Sequence, residues 1–213
     1  MFNNSKYGNL LTVLLIIAII AIVVIVGIVI YKLYKRFYTN AGAVEAANAF
    51  ETNVNQQNTT DPKTDISGIE GTDDNSGIST KYKGFDVVGV IQIPSINLKY
   101  PILQKLSKKS LETSVVLLYT SNGLNNIGNS VIIGHNYRNG TMFSNVQKLE
   151  NGAIIYITDM QGRKIKYTVY NIYRASGSEA GYMTRNTNGK REISLSTCTN
   201  DSKARTIVLA RED

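Results

Sequence analysis

Cys198 and His135 are the residues of this chain whose chemistry suits nucleophilic catalysis. The chain has 213 residues, with one cysteine and one histidine. Cys198 ends a predicted strand (EISLSTC) before the polar turn TNDSK, and His135 ends another (SVIIGH) before the loop NYRNG. A rigid sheet can present side chains at such strand ends to a substrate. A thiol and an imidazole placed there could form an activated nucleophile and its acid/base partner.

Both residues also have a purely structural interpretation. A single cysteine is frequently a small buried hydrophobic residue, and a single histidine is more often structural than catalytic. The sequence does not show that the two side chains meet. One residue of each type excludes an intrachain disulfide and a metal cluster built from Cys and His ligands. We therefore expect no metal site and no cofactor.

Arg205 adds a positive group that could reach the cysteine. It follows Cys198 by seven positions and starts the next predicted strand, RTIVLA, so a hairpin with a short turn would return it to the thiol. A guanidinium can donate hydrogen bonds to the negative charge that develops on a carbonyl oxygen during acyl transfer. The alternative is a solvated arginine at a strand start. Arg211, the nearest competitor, follows the strand instead of facing the turn.

Short strands must position these residues, because the chain after residue 80 consists of β-branched, alternating runs broken by Gly, Asn and Pro. Eight strands are predicted: Asp86–Ile93, Leu98–Leu103, Ser114–Leu118, Ser130–Gly134, Ala153–Thr158, Lys164–Arg174, Glu192–Thr197 and Thr206–Ala210. This density favours a closed barrel or a sandwich over a doubly wound sheet, which needs longer crossover helices. The best short helix is Thr141–Leu149, with Thr141 as N-cap and Met142, Val146 and Leu149 on one face.

The segments before the β domain differ in composition. Residues 1–9 form a short tail, and residues 10–30 an uncharged apolar run that spans about 31 Å as a helix, the thickness of a bilayer core. This run exceeds the apolar stretch of a signal peptide and predicts an uncleaved transmembrane anchor. Residues 31–50 form a juxtamembrane segment with basic and aromatic residues. Residues 51–80 are polar and acidic and predict a flexible stalk before the domain at residues 81–213.

The net charge of +7 is unevenly distributed. The stalk holds one basic residue against six acids, whereas residues 81–213 hold 18 basic residues against nine acids. This part of the chain lacks a Lys/Arg-rich run interleaved with aromatic residues, so we expect no nucleic-acid partner. An anionic cell envelope fits a basic, anchored domain better.

Four blocks of the sequence resemble bacterial sortases. The strand SLSTC (Ser194 to Cys198) resembles the TLxTC signature, with Ser194 in place of the first Thr, and Arg205 followed by TIVLA resembles the catalytic arginine strand. VIIGHNYRNGTMFSNVQKL (131–149) is similar to the histidine segment, and its GHN and GTMF parts most resemble class B. VGVIQIPSINLKYPIL (88–103) is similar to the opening pair of strands. The segment 176–192 is too short for the long helix of class B, so the class stays open.

The resemblance implies a mostly β fold: a closed eight-stranded barrel with short helices, preceded by one transmembrane helix. It implies a cysteine transpeptidase with Cys198 as nucleophile, His135 as its imidazole partner and Arg205 as electrostatic stabiliser. The substrate-binding residues that it implies are Ser194, Leu195 and Thr197.

The resemblance also implies the reaction and its partners. Sortases cleave an LPxTG- or NPxTN-like sorting motif of secreted surface proteins, hold the acyl group as a thioester, and transfer it to an amine of a peptidoglycan precursor or a pilin. This function needs a single-pass protein of the cell membrane with its barrel outside. By the positive-inside rule, the three basic residues after the span favour the opposite orientation, because they exceed Lys6 and the N-terminal amine before the span by about one charge. Long domains, however, translocate largely regardless of charge.

Two other functions stay open from the sequence. The first is an anchored barrel that binds a peptide or a wall polymer without catalysis, with Cys198 as a packing residue. The second is a hydrolytic cysteine protease, which would use the same three residues and the same thioester with water as acceptor.

Overall fold

The computed structural model describes residues 4–59 and 80–212. The chain forms two compact units, one ending at Asn40 and one beginning at Ala41. Helix α1 (Asn4–Thr59) contains Gly8–Tyr34, which among the described residues is the one stretch long and apolar enough to cross a membrane. Length and composition of this kind also fit a signal sequence. The predicted anchor at residues 10–30 lies within this stretch.

Nine strands follow α1 in the described part of the chain. Their bounds are β1 (Lys81–Tyr82), β2 (Phe85–Ile93), β3 (Leu98–Leu103), β4 (Val115–Thr120), β5 (Gly128–Ile133), β6 (Ile154–Asp159), β7 (Lys164–Ala175), β8 (Arg191–Cys198) and β9 (Arg205–Glu212). Strands β2 to β9 lie in the order β2-β3-β4-β5-β8-β9-β7-β6, and β6 pairs back onto β2. The predicted closed eight-stranded barrel is therefore confirmed, with the two-residue strand β1 added at β2.

Two parallel pairs depart from an otherwise antiparallel barrel, and the second of them includes the strand that carries the cysteine. Strands β3 and β4 run parallel and are connected through the short helix α2 (Lys108–Thr113), which begins with a Ser107–Ser110 capping box. Strands β5 and β8 also run parallel, although β6 and β7 separate them in sequence. The C-terminal ends of β5 and β8 therefore lie at the same edge of the barrel.

Strand β8 is buried on both faces. Its inward side chains, which include Ile193 and Leu195, belong to the main core, whereas its outward neighbours Val131 and Ile207 belong to a second apolar cluster. The loop between β7 and β8, residues 176–190, contributes Tyr182 to this outer cluster. Six successive residues of β8 are buried for this reason, and the strand does not show the alternation of a strand that faces water on one side.

The predicted α-helix at Thr141–Leu149 is instead a 3-10 helix, Phe143–Lys148. Met142 is buried before the helix, and Phe143, Val146 and Leu149 are buried at a spacing of three, which matches the three residues per turn of a 3-10 helix. The N-cap is Met142, at φ 47°, and it makes no side-chain cap hydrogen bond. Thr141 is not the cap: its hydroxyl donates to Asn139 Oδ1 at 2.7 Å. A second 3-10 helix covers Pro94–Ile96.

The first residues of the predicted stalk are ordered against the barrel. Helix α1 continues to Thr59, and its side chains Ala43, Ala47, Phe50 and Val54 are at most 2% exposed within the main core. These residues recur at helical spacing, so they form one apolar stripe. The prediction of a flexible stalk therefore differs from the structure over residues 51–59. The remainder, residues 60–79, lies outside the described residues.

Candidate active site

Cys198 and Arg205 form one cross-strand pair. Cys198 is the last residue of β8, Arg205 is the first residue of β9, and the two are partners in the antiparallel register. Side chains of directly opposite residues lie on the same face, with Cβ atoms about 4.5–5.5 Å apart. The short turn between the strands therefore sets the guanidinium beside the thiol, as the hairpin prediction requires.

His135 lies next to Cys198 on the opposite side from Arg205. The parallel register of β5 and β8 ends with Ile133 beside Ser196, and the Gly134 amide donates to the Ser196 carbonyl at 3.3 Å. Cys198 is two residues further along β8, and His135 is the second residue after the end of β5. The imidazole and the thiol therefore leave the same edge of the barrel. The backbone thus places the three residues that the sequence predicted as catalytic at one edge of the barrel.

The thiol, the imidazole and the guanidinium are accessible and largely uncommitted. Cys198 is a free cysteine, and all three residues are half-buried. Within residues 4–59 and 80–212, the side chains of Cys198 and Arg205 make no hydrogen bond or ion pair, and the His135 ring lies 5.0 Å from the Tyr137 ring between centroids. The thiol and the guanidinium can therefore bind a reacting carbonyl without breaking an internal hydrogen bond or ion pair.

Asn136 connects the histidine loop to the strand that carries the nucleophile. Its side-chain amide donates to the Cys198 carbonyl at 2.9 Å and to Asn200 Oδ1 at 3.0 Å. Gln147 donates to the same Asn200 oxygen at 2.7 Å, from the 3-10 helix after the histidine loop. Asn136 is not among the predicted site residues, since an asparagine in a polar loop carries no distinctive signal.

The turn between Cys198 and Arg205 is held by its own polar groups. Asp201 accepts hydrogen bonds from the Thr199 hydroxyl, the Arg174 guanidinium and the Lys203 amide. These hydrogen bonds, with that from Thr199 as the largest contribution, hold the pKa of Asp201 well below its usual range. Asp201 therefore stays ionised at neutral pH, and the turn keeps the register that pairs Cys198 with Arg205.

Gly134 precedes the histidine at a point of close approach. An added Cβ there would lie 2.9 Å from the Phe143 ring and 2.9 Å from Val115. The Gly134 carbonyl accepts a hydrogen bond from the Thr197 hydroxyl at 2.8 Å. Glycine at this position lets the 3-10 helix pack under the histidine, which fixes where the loop leaves β5.

The predicted substrate-binding residues Ser194, Leu195 and Thr197 have partners inside the protein. Their side chains are buried, at 0%, 0% and 2% exposed. Leu195 packs in the main core, and Thr197 bonds to Gly134. The Ser194 hydroxyl faces outwards but donates to Asn129 Oδ1 at 3.0 Å. A peptide lying on the barrel surface would therefore not touch these three side chains in this arrangement.

Comparison with known proteins gives consistent matches. A family model described as a sortase domain matches residues 91–213, more than half of the chain. A curated Sortase A from Bacillus anthracis is 30% identical over 113 residues, which cover 53% of this chain and 52% of the relative. This chain thus spans about half the length of that curated relative.

Solved structures share the barrel. A Clostridium perfringens sortase D5 transpeptidase is 28% identical with a TM-score of 0.55, covering 60% of this chain and 79% of that chain. A Clostridium perfringens sortase C, solved with the C-terminal cell wall sorting motif, is 22% identical with a TM-score of 0.53, covering 81% and 88%, and shows likeness of fold alone. These relatives carry the class letters A, C and D. With the domain match over residues 91–213 and the eight-stranded barrel that these structures share, the chain belongs to the sortase family.

Proposed function

We propose that this protein is a membrane-anchored transpeptidase that cleaves the sorting motif of surface proteins and transfers the acyl group to an amine. The observation that carries the proposal is the row formed by His135, just after the end of β5, Cys198 at the end of β8 and Arg205 at the start of β9, with no hydrogen bond or ion pair for the thiol or the guanidinium among the described residues. A packing cysteine would not need an imidazole and a guanidinium at the same edge of the barrel. Membership of the sortase family supports the same chemistry.

Acylation starts from the Cys198 thiolate, since the thiol itself is a weak nucleophile. The sulfur attacks the carbonyl carbon of the Thr in an LPxTG- or NPxTN-like motif, and the electron pair of the C=O bond moves onto the oxygen. Arg205 donates hydrogen bonds to this oxyanion. The protonated His135 gives its proton to the leaving amine, the C–N bond breaks, and a thioester remains on Cys198.

Transfer to the acceptor reverses these roles. The neutral His135 takes a proton from an incoming amine of a peptidoglycan precursor or a pilin, and the amine nitrogen attacks the thioester. Arg205 again stabilises the oxyanion, and the C–S bond breaks to restore the thiolate. The whole cycle uses side chains of this chain, with no cofactor.

Ser194, Leu195 and Thr197 act in this proposal as positioning residues. Thr197 holds the Gly134 carbonyl before the histidine, and Leu195 fixes β8 in the core. Their contribution to substrate binding is then indirect, through the placement of Cys198 and of the surrounding loops.

The apolar stretch of α1 serves as the anchor in this proposal, with the barrel on the extracellular side. The stretch Gly8–Tyr34 is long enough to span a bilayer, and a surface protein with a sorting motif meets the enzyme outside the membrane. Acceptors from the cell wall or from pilins are on that side too.

The deciding experiment uses the full chain in detergent. The protein is incubated with the pentapeptides Leu-Pro-Glu-Thr-Gly and Asn-Pro-Gln-Thr-Asn plus triglycine as amine, and masses of protein and products are measured. We expect an acyl adduct on Cys198 and an exchanged peptide, and we expect Cys198→Ala to lose both while keeping its circular dichroism and its Tm to within a few degrees.

Each alternative predicts a different result. Adduct and hydrolysed peptide without exchange would support the hydrolytic protease. Peptide binding by both wild type and Cys198→Ala, without adduct, would support the non-catalytic barrel. Unfolding of Cys198→Ala would mean that the cysteine is a core residue.

A further inference from the structure

The loop between β7 and β8, residues 176–190, lies over the outer face on which Cys198 stands. Tyr182 of this loop is 6% exposed and packs against outward side chains of the neighbouring strands, which include Val131 and Ile207. Its hydroxyl lies 3.4 Å from Ser196 Oγ. Ser196 is two residues before Cys198 on the same face, about 7 Å along the strand. The loop therefore covers the outer face of β8 to within two residues of the nucleophile.

A buried polar network holds this loop to β5 and β8. The Asn129 side-chain amide, on β5, donates to the carbonyls of Tyr182 and Met183, both at 2.9 Å. Ser194 on β8 donates to Asn129 Oδ1 at 3.0 Å, which orients the amide so that its nitrogen faces the loop. Asn129 and Ser194 are 2% and 0% exposed.

Arg185, from the loop itself, completes the network. It donates to Asn129 Oδ1 at 3.1 Å and to Ser194 Oγ at 3.3 Å, and it forms an ion pair with Glu192 of β8. Glu192 also accepts from the Tyr170 hydroxyl at 2.9 Å. The side chains of Arg185 and Glu192 are 17% and 9% exposed, so water competes little with these bonds.

The network is placed where it can control the substrate without touching it. Its β8 members, Glu192 and Ser194, precede Cys198 by six and four residues, about 20 and 13 Å along the strand, and Asn129 binds the loop through main-chain carbonyls. Side chains that hold a loop in its binding geometry reduce the entropy that a ligand must otherwise remove on binding. Removing them should weaken peptide binding while the reacting groups at the other end of β8 stay intact.

We propose that Asn129, Ser194, Arg185 and Glu192 form an anchor that fixes the β7–β8 loop beside Cys198, which makes them positioning residues for peptide binding. This inference rests on the proposed transpeptidase function. It gives the serine of the SLSTC strand a defined role, because its hydroxyl orients the Asn129 amide, and a threonine hydroxyl can do the same. The conformation of the loop that contacts the peptide then depends on residues of β5 and β8 as well as on the residues of the loop itself.

The test compares Ser194→Ala, Asn129→Ala and Ser194→Thr with a matched control, Asn151→Ala, in the full chain in detergent. Asn151 is exposed and follows the 3-10 helix, away from this loop. Kinetics are measured with whichever pentapeptide the wild type turns over. Hydrogen exchange of peptides from residues 178–189 reports the loop, and alkylation of Cys198 by iodoacetamide reports the thiol.

We expect Ser194→Ala and Asn129→Ala to raise KM by about fivefold or more, with kcat within about threefold of wild type. Loop exchange should become at least about fivefold faster, because the bonds to its carbonyls are lost or misoriented. The alkylation rate should stay within about twofold, and Ser194→Thr and Asn151→Ala should resemble wild type. If Asn129→Ala does not fold, Ser194→Ala, which removes one hydroxyl, decides the test.

Two results would overturn the inference. Unchanged loop exchange in Ser194→Ala would show that the network does not anchor the loop. Faster exchange with an unchanged KM would show that the anchored loop does not position the peptide. A wild-type protein that forms no acyl adduct contradicts the proposed function instead, and the exchange measurement then decides the anchoring by itself.

Discussion

Arg205 has the freedom that an oxyanion donor needs. It is the cross-strand partner of Cys198, and among the described residues its guanidinium makes no hydrogen bond or ion pair. Arg211, at the other end of the same strand, instead lies over the Tyr170 ring, with 5.1 Å to the ring centroid. The two arginines of β9 therefore offer a matched comparison between a free and a packed guanidinium.

We predict that Arg205→Ala lowers the rate of acylation by about 10²- to 10³-fold, the usual cost of losing one oxyanion donor. Arg205→Lys should recover only part of the rate, because an ammonium lacks the planar fork of donors. Acylation is measured by mass spectrometry in single-turnover reactions with the pentapeptide. Arg211→Ala should acylate at nearly the wild-type rate, and an equal loss in both alanine variants would contradict the assigned role of Arg205.

At the scale of elements, the catalytic row depends on how the histidine loop is attached to the β8–β9 hairpin. His135 follows the end of β5, and Cys198 ends β8. These two strands pair in parallel, and their ladder stops before either residue. The Asn136 side chain continues the attachment by donating to the Cys198 carbonyl and to Asn200 in the turn. The distance between imidazole and thiol is thus set partly by this single side chain.

We predict that Asn136→Ala lowers kcat by about tenfold, because small displacements of reacting groups reduce rates strongly. The loss of three hydrogen bonds, two donated by Asn136 and one that it accepts from the Arg138 amide, should also lower the free energy of unfolding by about 1–3 kcal/mol. Steady-state kinetics and denaturant unfolding of the full chain measure the two effects. Asn151→Ala is the control, and a wild-type kcat in Asn136→Ala would show that the β5–β8 ladder alone sets the geometry.

The C-terminal part of α1 is attached to the barrel by an ionic contact beside its apolar stripe. Glu51 forms an ion pair with Lys99 at 2.6 Å and accepts a hydrogen bond from the Thr158 hydroxyl at 2.9 Å. Burial by itself would raise the pKa of Glu51, but the bonds from Lys99 and Thr158 and the charges of Lys99 and Lys164 outweigh it and lower the pKa. The charged form of Glu51 therefore stabilises the folded state.

We predict a pH-dependent effect of Glu51→Gln. Since the folded-state pKa lies below the ordinary value of 4.5, the stabilisation is fully present above about pH 4.5 and disappears as the pH falls through the folded-state pKa. Glu51→Gln should lower the free energy of unfolding by about 1–2 kcal/mol at pH 7 and by less at pH 3. Denaturant unfolding at both values measures this, with exposed Glu45→Gln as control. An effect equal at both pH values would contradict the ionic origin.

At the scale of the whole molecule, the proposed function requires the barrel and its substrates on one side of a membrane. We predict that the full chain fractionates with membranes and that protease added to intact cells stripped of wall removes the barrel. A cytoplasmic marker protein should stay intact in the same sample. Protection of the barrel until the cells are lysed would contradict the extracellular orientation.

The sequence by itself determined the features that depend on neighbouring residues. Alternation of β-branched residues identified the eight barrel strands, and the separation of seven positions from Cys198 to Arg205 sufficed to predict their hairpin pair. The prediction of a membrane-spanning segment at residues 10–30 likewise depends on local sequence alone, because the length and the hydropathy of a helix are what allow it to span a bilayer core.

Only the tertiary structure decided which distant segments meet. The segment of His135 lies beside Cys198 because β5 pairs in parallel with β8, although β6 and β7 separate these two strands in the sequence. No local sequence pattern specifies this pairing. The residues after Phe50 were predicted as stalk from their polarity, yet Glu51 and Val54 contact the barrel. The average composition of a sequence window does not reveal a narrow apolar stripe, because its polar neighbours dominate the average. Each apolar side chain of the stripe is nevertheless buried once the folded barrel lies beside it. The pairing of β5 with β8 and the packing of α1 on the barrel are therefore tertiary contacts that the local sequence does not specify.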